Sequence, residues 1–160
     1  EMLRSLVGSE MCIRDRYIIR YAEMIDNWAE CDCFCSCIKV KKSEEDDLLR
    51  LAEGLMYRKE EFVSRVGTVL MFSKFSDEPT VRKALAIYDR LPGGEYYRDM
   101  AVAWGISVYC VRYPQLIVKY LEHSPISIAV KLAAAQKIRD SRRISDEVKR
   151  RVTDTVNAQR

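Results

Sequence analysis

From Tyr17 onward, apolar residues return at three- and four-residue steps through stretches separated by short polar breaks. That is the period of a helix, not the alternation of a strand. YIIRYAEMI (Tyr17 to Ile25) reads as the end of a helix, closed by Asp26-Asn27, which can cap the next one, WAECDCFCSCIKV. Ser43 with Asp46 three residues on predicts a capping-box start for EEDDLLRLAEGLMY, whose early acidic residues suit the positive end of a helix dipole. EEFVSRVGTVLMFSKF reads as amphipathic. Ser76-Asp77-Glu78-Pro79 opens TVRKALAIYDRL with proline in its first turn, and Leu91-Pro92-Gly93-Gly94 is the clearest break. EYYRDMAVAWGISVYCVRY, PQLIVKYLEHS, ISIAVKLAAAQKIRDS and a Ser145-capped DEVKRRVTDTVN complete the chain. About eight helices with short connections and no convincing strand pair predict an all-α protein. Successive pairs of this length suggest an α-solenoid, against the plainer alternative of a bundle.

Composition narrows this further. At 160 residues, 48% hydrophobic and 32% charged, the chain suits one domain, and four prolines with six glycines are few enough to favour helices. Its apolar runs are too short to span a bilayer. Lys and Arg number 27 against 24 Asp and Glu, so the net charge of +3 permits an anionic partner without demanding one. Four of six cysteines alternate in CDCFCSC. On a helix, positions two apart point to different faces, and zinc-type CxxC spacing is missing, so the cysteines read as small semi-apolar residues in a reduced cytoplasm. No metal or cofactor is expected.

The segment SLVGSEMCIRDR (Ser5 to Arg16) lacks the apolar core and small-residue cleavage site of a signal peptide. It resembles the conceptual translation of a transposase-type sequencing adapter, since ATG TGT ATA AGA GAC AG encodes MCIRD followed by Arg or Ser. Residues 1–16 are therefore expected to be non-native, with the native domain over 17–160.

Trp28 and Asp32 stand four apart in WAECD, one turn apart on one helix face. Arg65 lies 33 residues past Asp32, and Trp104 another 39 on. In DNWAECDCFCS, EFVSRVGTVLMF, YYRDMAVAWGISVYCVRYP and LAAAQKIRDSRRIS, the chain from Tyr17 onward resembles the AlkD-like DNA alkylation repair glycosylases, built from HEAT-like helical repeats. That family carries further helices before its WxxxD motif, so this chain is expected to be an N-terminally truncated, less stable or less active member.

The resemblance implies hydrolysis of the N-glycosidic bond of N3- or N7-alkylated purines in double-stranded DNA by a monomer, with Trp28, Asp32, Arg65 and Trp104 on the DNA-facing surface. A cationic alkylpurine is already a good leaving group, so the sugar needs the help. A carboxylate at Asp32 would stabilise an oxocarbenium-like deoxyribose and position water, and indoles at Trp28 and Trp104 would hold a cationic nucleotide. Arg65 would fork onto a phosphate, joined by Lys74 and Lys131, with Arg58, Lys59, Lys137, Arg139, Arg142 and Arg143 as further candidates. Singly, each has a plainer reading: a core tryptophan, a surface acid, a solvated cation. His123 reads as a helix C-terminal residue with no catalytic part. The alternative is a helical-repeat module that binds DNA or protein without catalysis.

Overall fold

The computed structural model describes residues 13–160, so the adapter-like stretch lies outside the described residues except for Ile13 to Arg16. Nine α-helices and no strand occur among them: α1 (Ile13–Ala22), α2 (Trp28–Cys37), α3 (Glu45–Met56), α4 (Glu61–Lys74), α5 (Glu78–Tyr88), α6 (Tyr96–Arg112), α7 (Pro114–His123), α8 (Ile128–Asp140) and α9 (Asp146–Asn157). None is long and apolar enough to cross a membrane.

Local chemistry sets most of the helix starts. The side chains of Asn27, Asp77, Ser127 and Ser145 each accept a hydrogen bond from the backbone N–H three residues on. Ser43 does not. It lies inside a short 3-10 turn (Lys42–Glu44), and α3 begins at Glu45 without a side-chain cap, its first turn carried by Glu45, Asp46 and Asp47. The first described element is the helix over Ile13–Ala22, so Tyr17 to Ala22 forms the end of a helix, as expected. Arg14 on this helix pairs with Glu44 at 2.6 Å.

The helices form two layers, α2, α4, α6 and α8 in one and α1, α3, α5, α7 and α9 in the other. Within a layer, neighbours run parallel: Asp32 meets Arg65, Phe72 meets Trp104, Tyr120 donates to Asp89, and Arg151 donates to Gln115. Between layers, α3 and α4 are antiparallel, with Ser64 Oγ donating to the Met56 carbonyl at 2.7 Å and Gly67 packed on Ala52. The side-chain hydrogen bonds that join distant parts of the chain span only 28 to 38 residues. Contacts confined to one repeat period are what a stack of helix pairs produces, each unit touching only its neighbours. The protein is an all-α solenoid.

The core follows from which neighbours each helix has. On α9, Val148, Val152 and Val156 are buried at four-residue steps, an amphipathic stripe with one apolar side. Helix α4 departs from the amphipathic pattern expected of it: every residue from Val63 to Phe72 is buried. It touches α1, α2, α3, α5 and α6, so it has no solvent face along most of its length. Its polar residues are accommodated by pairing. Ser64 donates to Met56, Thr68 Oγ1 to the Ser64 carbonyl at 2.9 Å, and Arg65 to partners described below.

Candidate functional site

Trp28, Asp32, Arg65 and Trp104 lie on three successive helices of the same layer, α2, α4 and α6. The Asn27 cap, accepting from the Glu30 amide at 2.9 Å, starts α2 at Trp28, a residue 54% exposed. One turn on, Asp32 meets Arg65. Arg65 Nη2 donates to both carboxylate oxygens, at 2.8 and 2.9 Å, and Nε adds a bond to Oδ1 at 3.2 Å. The Arg65 side chain is 6% exposed and that of Asp32 22%, so the cation is enclosed while the Asp32 side chain keeps partial exposure. A planar guanidinium locks a carboxylate in orientation as well as position.

Arg65 has a second task. Its Nη1 donates to the Tyr97 carbonyl at 2.7 Å, while Glu61, one turn earlier on α4, accepts from the Tyr97 amide at 2.5 Å. Two charged side chains of α4 thus grip both backbone groups of one residue in the first turn of α6. The Glu61 carboxylate serves as that helix's cap from a neighbouring repeat, which explains why no local residue caps α6. Glu61 and Tyr97 were not singled out in the sequence. The available signal was Glu61 and Arg65 at i and i+4 on an otherwise apolar helix.

Arg65, expected to fork onto a phosphate, has its guanidinium engaged by Asp32 and the Tyr97 carbonyl. Lys131 is also turned away from this surface. It is 5% exposed, donates to Gln159 beyond α9, and so faces the opposite layer; burial lowers its ammonium pKa, an effect the Asp89 charge opposes. Lys74 is half-buried in the last turn of α4, where a cation suits the helix dipole. A hydrogen bond with Cys31 and burial raise the Cys35 thiol, and the Lys74 charge opposes them. His123 is exposed, its Nδ1 2.9 Å from the Lys119 carbonyl, in keeping with a helix-end role. Among the described residues no group of three or more His, Cys, Asp or Glu side chains could hold a metal ion.

Trp104 stands apart from the ion pair. It lies seven residues beyond Tyr97 on α6, as Phe72 lies seven beyond Arg65 on α4, and the two rings meet edge to face at 4.7 Å. Seven residues correspond to about 10 Å along a helix. Trp104 therefore lines a different place, an open cleft of about 390 Å³ between α6 and α8. The structure joins Asp32 to Arg65 directly, sets Trp28 one turn from Asp32, and leaves Trp104 two turns along the same layer. Comparison with family models, with curated proteins and with solved structures finds no match to this chain.

Proposed function

We propose that the protein is a DNA glycosylase releasing positively charged N3- or N7-alkylated purines from double-stranded DNA, acting as a monomer in a reduced, cytoplasmic compartment. The observation that carries this reading is the Asp32 carboxylate, held by Arg65 and still partly exposed, one helical turn from the exposed Trp28. The resemblance of the WAECD stretch and of the Arg65 and Trp104 positions to the AlkD-like family supplies the reaction.

In that reaction the N-glycosidic electron pair moves onto the cationic purine, which leaves neutral. Positive charge passes to C1′ and the ring oxygen of the deoxyribose. A carboxylate fixed nearby stabilises that charge without having to reorient at the moment of reaction. Water then adds to C1′ and gives up a proton, leaving an abasic sugar. Arg65 offsets part of the charge Asp32 offers, so its use here is orientation, and the exposed part of the Asp32 side chain is what a sugar could approach. Trp28 supplies a flat electron-rich face for a cationic nucleotide, worth about 0.5–2 kcal/mol.

The test is a duplex containing N7-methylguanine, with released base measured against time for the parent and for Asp32→Asn. The expected result is release by the parent and a loss of at least about a hundredfold in the variant, the usual cost of removing one preorganised electrostatic group. Tight duplex binding with no release would instead make the protein a DNA-binding module in which Asp32 and Arg65 serve only to join two repeats.

A further inference from the structure

The Arg65 guanidinium is a rigid plane held from two sides. Its Nε and Nη2 take the Asp32 carboxylate, while Nη1 donates to the Tyr97 carbonyl at 2.7 Å. Bonds to one carboxylate alone let the two side chains swing together, because that motion stretches none of them. A bond to a third group stops the swing. That third point is only as fixed as Tyr97 itself, and Tyr97 lies in the first turn of α6, the part of a helix that frays. No local side chain caps the turn. What holds it is Glu61, whose carboxylate accepts from the Tyr97 amide at 2.5 Å, with the Phe62 and Tyr97 rings 5.1 Å apart beside it. A carboxylate suits this place, since it satisfies an amide the helix leaves without a partner and its charge faces the positive end of the α6 dipole. Glu61 and Arg65 stand four apart on α4, the helix buried at every position from Val63 to Phe72, so both reach Tyr97 from a base that close packing keeps in place.

We propose that Glu61 is a positioning residue for base release: it fixes the Tyr97 peptide, the peptide fixes the guanidinium plane, and the plane holds the Asp32 carboxylate in one orientation. The assignment rests on reading the protein as a glycosylase in which Asp32 stabilises the sugar cation. Glu61 acts through Tyr97 and Arg65, which join three successive helices of one layer into a single brace. Such a brace raises the rate of the bound complex and leaves its affinity alone, because the aim of the carboxylate matters only once charge develops at C1′.

Two measurements on the full chain test this, one of them independent of activity. The first is hydrogen exchange at the Arg65 Nε–H, followed by heteronuclear NMR and assigned by its loss in Arg65→Met. Glu61→Ala should speed that exchange by at least about tenfold, whereas Glu61→Gln, which keeps an oxygen acceptor for the Tyr97 amide, should stay within about threefold of the parent. The second is single-turnover release of N7-methylguanine from a fully bound duplex. Glu61→Ala should be slower by about tenfold or more with duplex affinity unchanged, and Glu61→Gln should recover most of the rate. Asp99→Ala is the control. It removes another carboxylate from the same turn of α6, one bonded to the Gly94 amide at 3.0 Å, and should leave both readouts at the parent value. Unchanged exchange or unchanged release in Glu61→Ala overturns the assignment and leaves the glycosylase in place. So do equal losses in Glu61→Ala and Asp99→Ala, which indicate general loosening of the turn, or a Glu61→Gln no better than Glu61→Ala. A parent that releases no base overturns the glycosylase itself, an outcome told apart by Arg65 exchange that still responds to Glu61→Ala.

Discussion

Asp32→Ala would strand an enclosed cation. The substitution removes three N–H···O contacts and leaves Arg65 with only the Tyr97 carbonyl, in a position where it is 5% exposed and cannot recover its hydration. Breaking a fully buried pair costs about 3–5 kcal/mol, and a hydrogen bond to a charged group is worth about 1.5–3. Asp32 keeps 22% of its side-chain exposure in the folded state, so part of the attraction is screened and the cost falls near the low end, about 2 kcal/mol. For a chain of this size that corresponds to a fall in melting temperature of about 4–8 °C. Arg65→Met keeps the aliphatic stem and leaves behind a carboxylate that already reaches water, so its cost should be smaller, about 1 kcal/mol. The double variant should be more stable than the two single costs added together, because neither charge is then left alone, with a coupling of about 1.5 kcal/mol. Urea and thermal unfolding followed by far-ultraviolet circular dichroism give all four corners of the cycle. Asp32→Ala within 0.5 kcal/mol of the parent, or a coupling near zero, would refute the account of a pair formed and largely enclosed. Asp32→Asn separates fold from chemistry, since it keeps one carbonyl acceptor for Arg65 while removing the negative charge that base release requires.

Two further predictions use contrasts within the chain. Gly54→Ala on α3 meets nothing within 4 Å and should gain about 0.5–1 kcal/mol of helix stability, whereas Gly67→Ala on α4 places a methyl 2.6 Å from the Ala52 carbonyl and the Met56 amide. Overpacking against backbone outweighs the same gain there, and Gly67→Ala should lower stability by about 1–2 kcal/mol in urea titrations. In a Cys12→Ser background, a thiol reagent at pH 8 should label exposed Cys33 and Cys37 in the folded protein, and also Cys31, Cys35 and Cys110 once denaturant is added. Burial pushes the Cys110 thiol up from 9.0 to about 12, so the folded state holds a proton that the unfolded chain releases above pH 9. This contribution to stability is full below about pH 9 and is lost as pH rises toward about 12, with the buried Tyr88, Tyr109 and Tyr120 hydroxyls acting in the same direction. A melting temperature that rises across that window would contradict it.

Elements that depend on neighbours in sequence were readable without a structure. Ser145 caps the helix it was expected to cap, and Asn27 of the Asp26-Asn27 pair and Asp77 of the Ser76-Asp77-Glu78-Pro79 stretch are the capping residues there, because a side-chain oxygen reaches the amide three residues on without help from the rest of the fold. Ser43 does not cap α3 because the chain enters that helix through a 3-10 turn, Lys42–Glu44, in which Ser43 is an interior residue. The candidate site divides in the same way. WAECD places Trp28 and Asp32 on one helix face by spacing alone. The partnership of Asp32 with Arg65 spans 33 residues and leaves no local trace.

By itself, then, the sequence determined the helices, their caps, the all-α class and the spacing of Trp28 and Asp32, since each rests on hydrogen bonds or periodicity within a few residues. Only the tertiary structure decided which cations remain free. Arg65, Lys131 and Lys137 look alike in a string of letters, yet the first is spent on Asp32, the second is turned to the other layer, and the third stands in a cleft opposite Trp104. The reason is that a helix turns about 100° per residue, and the layer stacked against each face decides whether a charge there meets a carboxylate, a carbonyl or water.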